Sequence, residues 1–400
     1  MKPDSAIEIV QKLRAANYEA YLVGGCVRDM VMKIEPADYD IATSAHPEQI
    51  IRLFPRTEAI GAKFGVVLVI QHGHPFEVAT FRSDEAYIDG RRPTGVVFTD
   101  AKTDVLRRDF TINGLLYDPV EKRVLDFVSG QEDISRKVVR AIGDPFRRFE
   151  EDKLRILRAI RFGARLGYEI EPDTWKAVCA MAPQIHQVSI ERIQGEIVRT
   201  LTEGQARRGV QMLHESGLLR EILPEVQWND HLMDCLGMLK CDETASFAMA
   251  VLLHEIPFRT VEEIVQRLKF SNAKTQHILS LVRQRPRMHE VKELSVSALK
   301  KFLRLPGFED HLELTRICDT VSQRSLEDYH LALDAYRGWG MDDIWPKPLL
   351  TGDDLKAGGF TPGPIYKEIL NRVEDEQLEG RLQDRTQALE FVTSNFGQRR

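Results

Sequence analysis

Apolar residues recur at three- and four-residue steps from Ser5 to Ala16 (Ile7, Ile9, Val10, Leu13), which predicts an amphipathic helix near the start of the chain. The period then shortens. Tyr21–Val23 is a brief apolar run ending in Gly24-Gly25, the outline of a strand, a tight turn and a helix. Tyr39–Thr43 reads as a strand, and Val66–Gln71 with Phe76–Phe81 reads as a hairpin around a Gly-His-Pro turn (Gly73 to Pro75). Leu115–Tyr117 and Val124–Phe127 extend the β-rich region. Beyond about Asp144 helical periods dominate to the end, and Gly/Pro punctuation is sparse until Trp345–Leu350 and Gly358–Pro364. The expectation is an α+β chain: a head with a small mixed sheet over 1–140, then an all-helical neck (141–205), body (206–340) and tail (341–400). No repeat at solenoid period and no low-complexity segment interrupts it.

Composition adds bounds. At 43% hydrophobic and 29% charged residues, the 400-residue chain has ordinary globular character and can bury a core without staples. Its five cysteines (Cys26, Cys179, Cys235, Cys241, Cys318) are dispersed with no C-x-x-C pair, which reads as reduced thiols in a reducing compartment. Met1 to Gln11 alternates charged and apolar residues unlike a signal peptide, and no apolar run is long enough to span a bilayer. A cytoplasmic protein with no membrane contact is expected, and nothing points to a protein partner. A net charge of −6 argues against general affinity for nucleic acid. Arg and Lys nevertheless cluster between Arg136 and Arg165, so a local basic patch is expected.

Candidate chemistry concentrates in Gly24-Gly25, Arg28-Asp29 and Asp38-x-Asp40. Residues two apart on a strand point to one side, so Asp38 and Asp40 present paired carboxylates while Tyr39 faces away. Paired carboxylates repel each other and favour a cation between them; Mg²⁺, held by one or two carboxylates plus substrate phosphates, suits the pair. The Gly24-Gly25 turn lets backbone N–H groups approach phosphate oxygens, and Arg28 can neutralise them.

Taken together, Leu22-Val-Gly-Gly-Cys-Val-Arg-Asp29 followed by Ala37-Asp-Tyr-Asp-Ile-Ala-Thr43 resembles the head motif of class II tRNA nucleotidyltransferases and bacterial poly(A) polymerases, members of the polymerase-β-like superfamily. The resemblance is strong over about residues 20–200 and looser to the end. It implies two Mg²⁺ ions at catalytic Asp38 and Asp40. Glu77, in Phe76-Glu-Val-Ala-Thr-Phe-Arg82, is a candidate third acidic residue near them, with a solvated strand position as the alternative. Arg107-Arg-Asp-Phe-Thr-Ile-Asn113 resembles a second family motif, which implies that Arg108 contacts the nucleotide and that Asp109 and Asn113 shape the sugar and triphosphate pocket.

Glu151-Asp-Lys-Leu-Arg155 resembles the family's E-D-x-x-R motif. On a helix Asp152 and Arg155 would share a face. A carboxylate accepts from cytosine N4 or adenine N6, and a guanidinium donates to the ring acceptors; uracil and guanine present acceptors where Asp152 needs a donor. Each mispaired buried polar group costs roughly 1–3 kcal/mol, so such a site selects C and A without a template. Arg155, Arg158, Arg161 and Arg165 form one stripe, with Ile156, Leu157, Ile160 and Ala164 opposite. The family comparison implies nucleotide contacts for Arg158 and Arg161. In Ser189-Ile-Glu-Arg-Ile-Gln-Gly-Glu196, Glu191 and Arg192 read as support for the pocket.

Phe81 to Phe98 resembles the flexible loop that, in the family, switches the pocket to A addition; Arg82, Asp89, Gly90, Arg91 and Arg92 are its candidate residues. Ala59-Ile-Gly-Ala-Lys-Phe-Gly65 partly resembles a poly(A) polymerase signature that Ala62 breaks. Leu252-Leu-His-Glu255 is similar to the His-Asp of a phosphohydrolase domain fused to some relatives, but Glu255 replaces the aspartate and no matching His/Asp set surrounds it, so it reads as a core helix. Leu350-Thr-Gly-Asp-Asp-Leu355 with Thr361-Pro-Gly-Pro364 resembles the family's RNA-binding tail. Three functions remain open: CTP- and ATP-dependent addition of CCA, or only its terminal A, to the tRNA acceptor end; poly(A) synthesis on RNA 3′ ends; and non-catalytic RNA binding.

Overall fold

The computed structural model describes residues 2–59, 65–84 and 96–397. It divides into two compact units, one of residues 1–229, 239–245 and 266–269, the other of 230–238, 246–265 and 270–400.

The first unit opens with α1 (Lys2–Ala15), whose Ile9, Val10 and Leu13 are fully buried. A seven-stranded sheet follows, built from β1 (Ala20–Val23), β2 (Asp40–Thr43), β3 (Thr57–Glu58), β4 (Val66–Gln71), β5 (His74–Thr80), and, after a separate small ribbon of β6 (Arg82–Asp84) with β7 (Val96–Phe98), β8 (Leu115–Asp118) and β9 (Arg123–Asp126). The order is β3-β4-β5-β2-β1-β8-β9. All neighbours are antiparallel except β2 and β5, so the sheet is mixed as expected. The parallel pair Ile41↔Val78 sets Asp40, the first residue of β2, beside Glu77 in the middle of β5. Between the strands lie α2 (Gly25–Val31) and α3 (Pro47–Leu53).

Two strand details differ from the sequence pattern. Asp38 and Tyr39 precede β2 rather than lying within it. The hairpin turns at His72-Gly73, one step before the expected Gly-His-Pro. Both residues have positive φ (49° and 80°), the backbone a two-residue hairpin turn needs, and Pro75 pairs with Ile70 inside β5.

The segment carrying Arg107 to Asn113 connects α4 (Ala101–Leu106) to β8 through a 3₁₀ turn at Thr111–Asn113. Helix α5 (Gly130–Arg136) braces that turn. Asp133 accepts from Thr111 Oγ1 at 2.7 Å, and a Cβ on Gly130 would lie 2.2 Å from the Thr111 carbonyl oxygen.

Helical structure dominates beyond, with α6 (Pro145–Glu151), α7 (Leu154–Leu166), α8 (Pro172–Met181), α9 (Ile190–Thr202), α10 (Ala206–Glu215) and α11 (Leu218–Ile222). One short parallel pair, β10 (Val138–Val139) with β11 (Glu169–Ile170), interrupts the expected all-helical run. Helix α7 is buried on nearly all sides, arginines included: Arg155 and Arg161 are 8% and 5% exposed. Buried cations need anions or carbonyls, and each finds them. Arg158 donates to Asp109 through Nε (2.8 Å) and Nη2 (2.6 Å), Arg155 Nη2 donates to the Arg107 carbonyl (3.0 Å), and Phe162 meets Phe110 edge-on at 5.7 Å. These contacts lock α7 onto the Arg107–Asn113 segment. Burial alone would raise the Asp109 carboxyl; the Arg158 guanidinium outweighs it and holds Asp109 at about 2.

The second unit is helical: α12 (Asp230–Gly237), α13 (Ala245–Leu253), α14 (Phe258–Arg267), α15 (Asn272–Gln284), α16 (Val296–Leu303), α17 (Phe308–Val321), α18 (Glu327–Gly338), α19 (Met341–Ile344), α20 (Gly352–Ala357), α21 (Pro364–Leu378) and α22 (Arg385–Phe396), with Ala245 of α13 and Gln266 and Arg267 of α14 belonging to the first unit. Phe302, Phe308, Leu312 and Ile344 belong to one apolar cluster, and Leu350, Leu355, Ile369 and Val392 to a second, towards the C-terminus. No described helix is long and apolar enough to cross a membrane.

Two stability outcomes follow. Gly130→Ala should lower the urea midpoint by about 1–3 kcal/mol of stability, because the new methyl must displace backbone. Asp109→Asn should cost on the order of 3 kcal/mol at neutral pH, since Arg158 stays buried without its anion. The folded pKa of Asp109 is depressed, so its contribution is full above the unfolded carboxyl's value near 4 and fades as pH falls toward about 2. The gap between wild type and Asp109→Asn, followed by urea denaturation, should therefore begin to narrow below about pH 4; a gap constant from pH 7 to pH 3.5 would remove the ion pair as its source.

Candidate active site

A cleft of about 710 Å³ opens in the first unit, with carboxylates at one side and arginines at the other. Gly24, Gly25, Arg28, Asp38, Asp40, Arg108, Asp109, Asn113, Asp152, Arg155, Arg158 and Arg161 all line it. Twelve positions drawn from 138 residues of sequence thus meet in one place.

The acidic side is built on the end of the sheet. Tyr39 is buried while Asp38 is exposed and Asp40 half-buried, so the alternation turns both carboxylates the same way although the strand begins only at Asp40. Burial pushes the Asp40 carboxyl up to about 6, and the adjacent Asp38 and Glu77 carboxylates add to the rise against the pull of Arg108. Glu77 lines a second, smaller hollow together with Asp38 and Asp40, on the other side of the pair. Asp38, Asp40 and Glu77 are hard oxygen donors lining one hollow, the donor type that a hard divalent cation takes.

Beside the carboxylates the chain turns at Gly24, whose φ of 76° favours glycine and whose added Cβ would lie 3.3 Å from Arg108 Nη1. Backbone and guanidinium thus approach each other across a gap with no room for a side chain. Arg28 is buried and already held: Nε donates to Asp29 Oδ1 (2.9 Å) and Nη1 to Asn113 Oδ1 (2.8 Å). Asn113 in turn donates to Asp109 Oδ1 (3.3 Å), so Asp29, Arg28, Asn113, Asp109 and Arg158 form one connected chain of charge and hydrogen bonds.

Asp104 is a site residue the sequence reading missed. It is buried, accepts from Arg107 Nη2 (2.8 Å) and Arg108 Nη2 (3.0 Å), and also takes the Arg82 backbone N–H (3.2 Å). Burial raises its carboxyl, but Arg108 and Arg107 together bring it below the ordinary carboxylate range. Its three- and four-residue spacing to Arg107 and Arg108 was the available signal.

The Asp152–Arg155 relation differs from expectation. Asp152 is not on a helix; it has extended backbone (φ −148°, ψ 104°) between α6 and α7. Arg155 pairs with Glu151 Oε2 (2.8 Å) and with the Arg148 carbonyl (2.9 Å), while Asp152 receives Arg192 Nη2 (2.7 Å) and Nη1 (3.2 Å). The interruption at Asp152 breaks the helical phase, so the two side chains reach the cleft from different backbone segments. Arg192 supports the pocket as expected, and does so by fixing Asp152; Glu191 pairs with Lys269 (2.7 Å).

The arginine stripe of α7 faces the cleft, and Arg165, Arg192, Glu203 and Asp242 complete its rim. Arg161 is bracketed by Glu196 (2.7 Å) and Glu203 (3.0 Å). Of the expected loop, Arg82 lies on β6, whereas Asp89, Gly90, Arg91 and Arg92 fall outside the described residues, as do Ile60 to Phe64 of the partial poly(A) polymerase signature.

Three family models match in chain order: the poly A polymerase head domain over residues 20–140, an RNA- and SrmB-binding segment of polymerase A over 167–229, and tRNA nucleotidyltransferase domain 2 over 241–392. The CCA-adding enzyme of Streptococcus pneumoniae is 32% identical over 96% of this chain and 95% of its own. That of Lacticaseibacillus paracasei is 33% identical over 100% of this chain and 98% of its own. Among solved structures, the Bacillus stearothermophilus CCA-adding enzyme in complex with CTP superposes with a TM-score of 0.84 at 26% identity, covering 100% of this chain and 99% of that one. The fold is also that of the Thermotoga maritima CCA-adding enzyme complexed with tRNA (TM-score 0.65, 20% identity, 98% and 94% covered). With a polymerase head, two helical segments in the same order and full-length identity above 30%, the chain belongs to the CCA-adding enzyme family and is a nucleotidyltransferase.

Proposed function

We infer that the protein transfers CMP and AMP from CTP and ATP to the 3′ end of tRNA without a nucleic-acid template, releasing pyrophosphate. The observation that carries this reading is one cleft, sized for a nucleotide, lined both by Asp38 and Asp40 at the start of the central strand β2 and by the arginine row of α7. The head and neck (1–140 and 141–205) would hold the nucleotide, and the body and tail (206–340 and 341–400) the acceptor end. Five free thiols suit the reducing cytoplasm, where the reaction would run.

Asp38 and Asp40 would hold Mg²⁺, two ions by the family resemblance, with Glu77 adding charge behind them. Magnesium there supplies a more acidic attacking hydroxyl and neutralises the leaving phosphates. The remaining work falls to the chain. Gly25, at the start of α2, would offer its backbone N–H to phosphate oxygens, next to an Arg108 held in place by Asp104, while the Gly24 N–H is taken by the Leu115 carbonyl (3.2 Å). Asn113 and Asp109, fixed by Arg28 and Arg158, present a rigid polar wall for the sugar. Asp152 accepts from the exocyclic amino group of C or A, and its geometry is set by Arg192. Arg155, its plane fixed by Glu151 and two carbonyls, lies beside it to meet the ring acceptors. A base that offers O4 or O6 instead meets a carboxylate with no donor between them.

Purified protein incubated with Mg²⁺ and labelled CTP or ATP, on tRNA ending before CC, on tRNA ending after CC, and on unstructured RNA, tests the reading. Addition should stop at CCA. Long A tails on unstructured RNA would overturn it in favour of poly(A) synthesis, and use of ATP alone would restrict it to the terminal A. Asp40→Ala should reduce incorporation to background; unchanged incorporation would sink the metal-site assignment. Asp152→Ala should keep some transfer while preference for C and A over U and G drops by about 10- to 100-fold, the worth of one mispaired polar group. Uniform loss of activity with selectivity intact would deny Asp152 the base-reading role.

A further inference from the structure

The second unit holds a side-chain cluster that the transfer reaction does not use. His231 and Cys235 stand one turn apart on α12, and His254 follows the end of α13. A nitrogen or sulfur from each of the three lies within 4.8 Å of the others. Cys318 of α17 is fully buried, its thiol beside both the Cys235 thiol and the His254 ring. Two imidazoles and two thiols from three helices therefore converge in the interior, although His231 and Cys318 are far apart in the sequence. The side chains around His254 are a histidine and cysteines, a set different from the His/Asp pattern of the phosphohydrolase domain.

The histidine tautomer is decided by its neighbour. His254 Nδ1 lies 2.7 Å from the Val251 carbonyl oxygen, and a carbonyl can only accept, so Nδ1 carries the hydrogen and Nε2 the lone pair. Nε2 is sealed from solvent without a hydrogen-bond partner, in a residue only 5% exposed. A buried acceptor left in this way is unfavourable unless something binds it. A histidine whose outer N–H is fixed on a carbonyl and whose inner lone pair points at thiols has the arrangement found in metal ligands. His231 repeats the pattern, with Nδ1 against Glu255 Oε1 at 2.8 Å and Nε2 on the inner side, 2.8 Å from Ser322 Oγ. The Cys235 sulfur is 4.0 Å from either ring nitrogen.

We propose that His231, Cys235, His254 and Cys318 form a binding site for a zinc-class transition-metal ion, distinct from the magnesium-type carboxylate site of the first unit. Thiolate and imidazole donors select a borderline-soft ion over Mg²⁺. A four-coordinate zinc ion needs metal–ligand distances of about 2.0–2.3 Å, hence neighbouring donors roughly 3.3–3.8 Å apart; His231, Cys235 and His254, within 4.8 Å of one another, must close by up to about 1 Å, and the Cys318 thiol, which lies outside that group, must move further. At His231 the ion would take the place of the Ser322 hydroxyl on Nε2. Four protein ligands and no open position make the role structural: the ion pins α12, α13 and α17 together.

The test uses the full chain, stripped with a chelator under reducing conditions and titrated with cobalt(II) alone. Expected are one equivalent bound, a thiolate-to-cobalt charge-transfer band and the strong visible absorption of a four-coordinate ion, all displaced by zinc and not by magnesium. Zinc should also raise the melting temperature of the stripped protein. Cys235→Ser and His254→Gln should each lose the band, whereas Cys179→Ser with Cys241→Ser, and Asp38→Ala with Asp40→Ala, should keep it. The wild-type spectrum needs no variant to fold: absence of the charge-transfer band in reduced wild-type protein overturns the proposal. A band unchanged in Cys235→Ser overturns it too.

Discussion

The contact on which the site depends is the pairing of Arg158 with Asp109. It joins a helix laid down after residue 150 to a segment that ends inside the sheet, and both groups are largely removed from water. A pair of this kind contributes little net stability, because desolvating both charges offsets most of their attraction. Its effect is on alternatives. Slide α7 by one turn and Arg158 would lose its anion, Arg155 its carbonyl on Arg107, and Phe162 its partner Phe110. Each loss leaves an uncompensated buried group, so one register stands well below the others. The cleft is the space this register leaves between the start of β2 and the arginine row.

That geometry also reconciles a net charge of −6 with a polyanionic substrate. The arginines of α7 are not a solvated basic face. They are embedded among Asp109, Glu151, Glu196 and Glu203, so their positive field is confined to the cleft and largely cancelled elsewhere. Opposite them, Asp38, Asp40 and Glu77 supply the negative side. On the proposed reading, a triphosphate with bound metal would lie between fields of opposite sign, its phosphates toward the guanidinium groups.

Much of this was legible in the residues because it is local. The Gly24 turn, the alternation that buries Tyr39 between two exposed-side carboxylates, and the spacing along α7 are all short-range features with a fixed geometric meaning. What sequence could not supply was partner choice across distance. Asp104 gave only a helical spacing, with nothing to indicate that it would be buried or that it would also hold the Arg82 backbone. The Asp152–Arg155 pairing was read from a helical period that assumes an unbroken helix, and the extended backbone at Asp152 removes that assumption. The His231, Cys235, His254 and Cys318 cluster lies beyond any spacing rule, because its ligands are brought together by helix packing alone. The sheet order was equally hidden: nothing local says that β2 pairs in parallel with β5 and so sets Glu77 beside Asp40.

The transfer of Asp152 from a helical neighbour to Arg192 changes how base selection must work. A carboxylate paired along its own helix would keep its orientation through any shift of that helix. Asp152 instead takes its orientation from α9, through two hydrogen bonds from one guanidinium, while Arg155 takes its own from Glu151 and from carbonyls at Arg107 and Arg148. The two groups that would read the base are thus anchored on different parts of the unit. The distance between them, and with it the size of the base admitted, is set by how α7 packs on α9, a contact that the Arg161–Glu196 pair also holds. Cytosine and adenine differ in size but share the exocyclic donor. A reader mounted on two helices can accept both with a small adjustment of their packing, whereas a pair fixed to one rigid helix could fit only one of them closely.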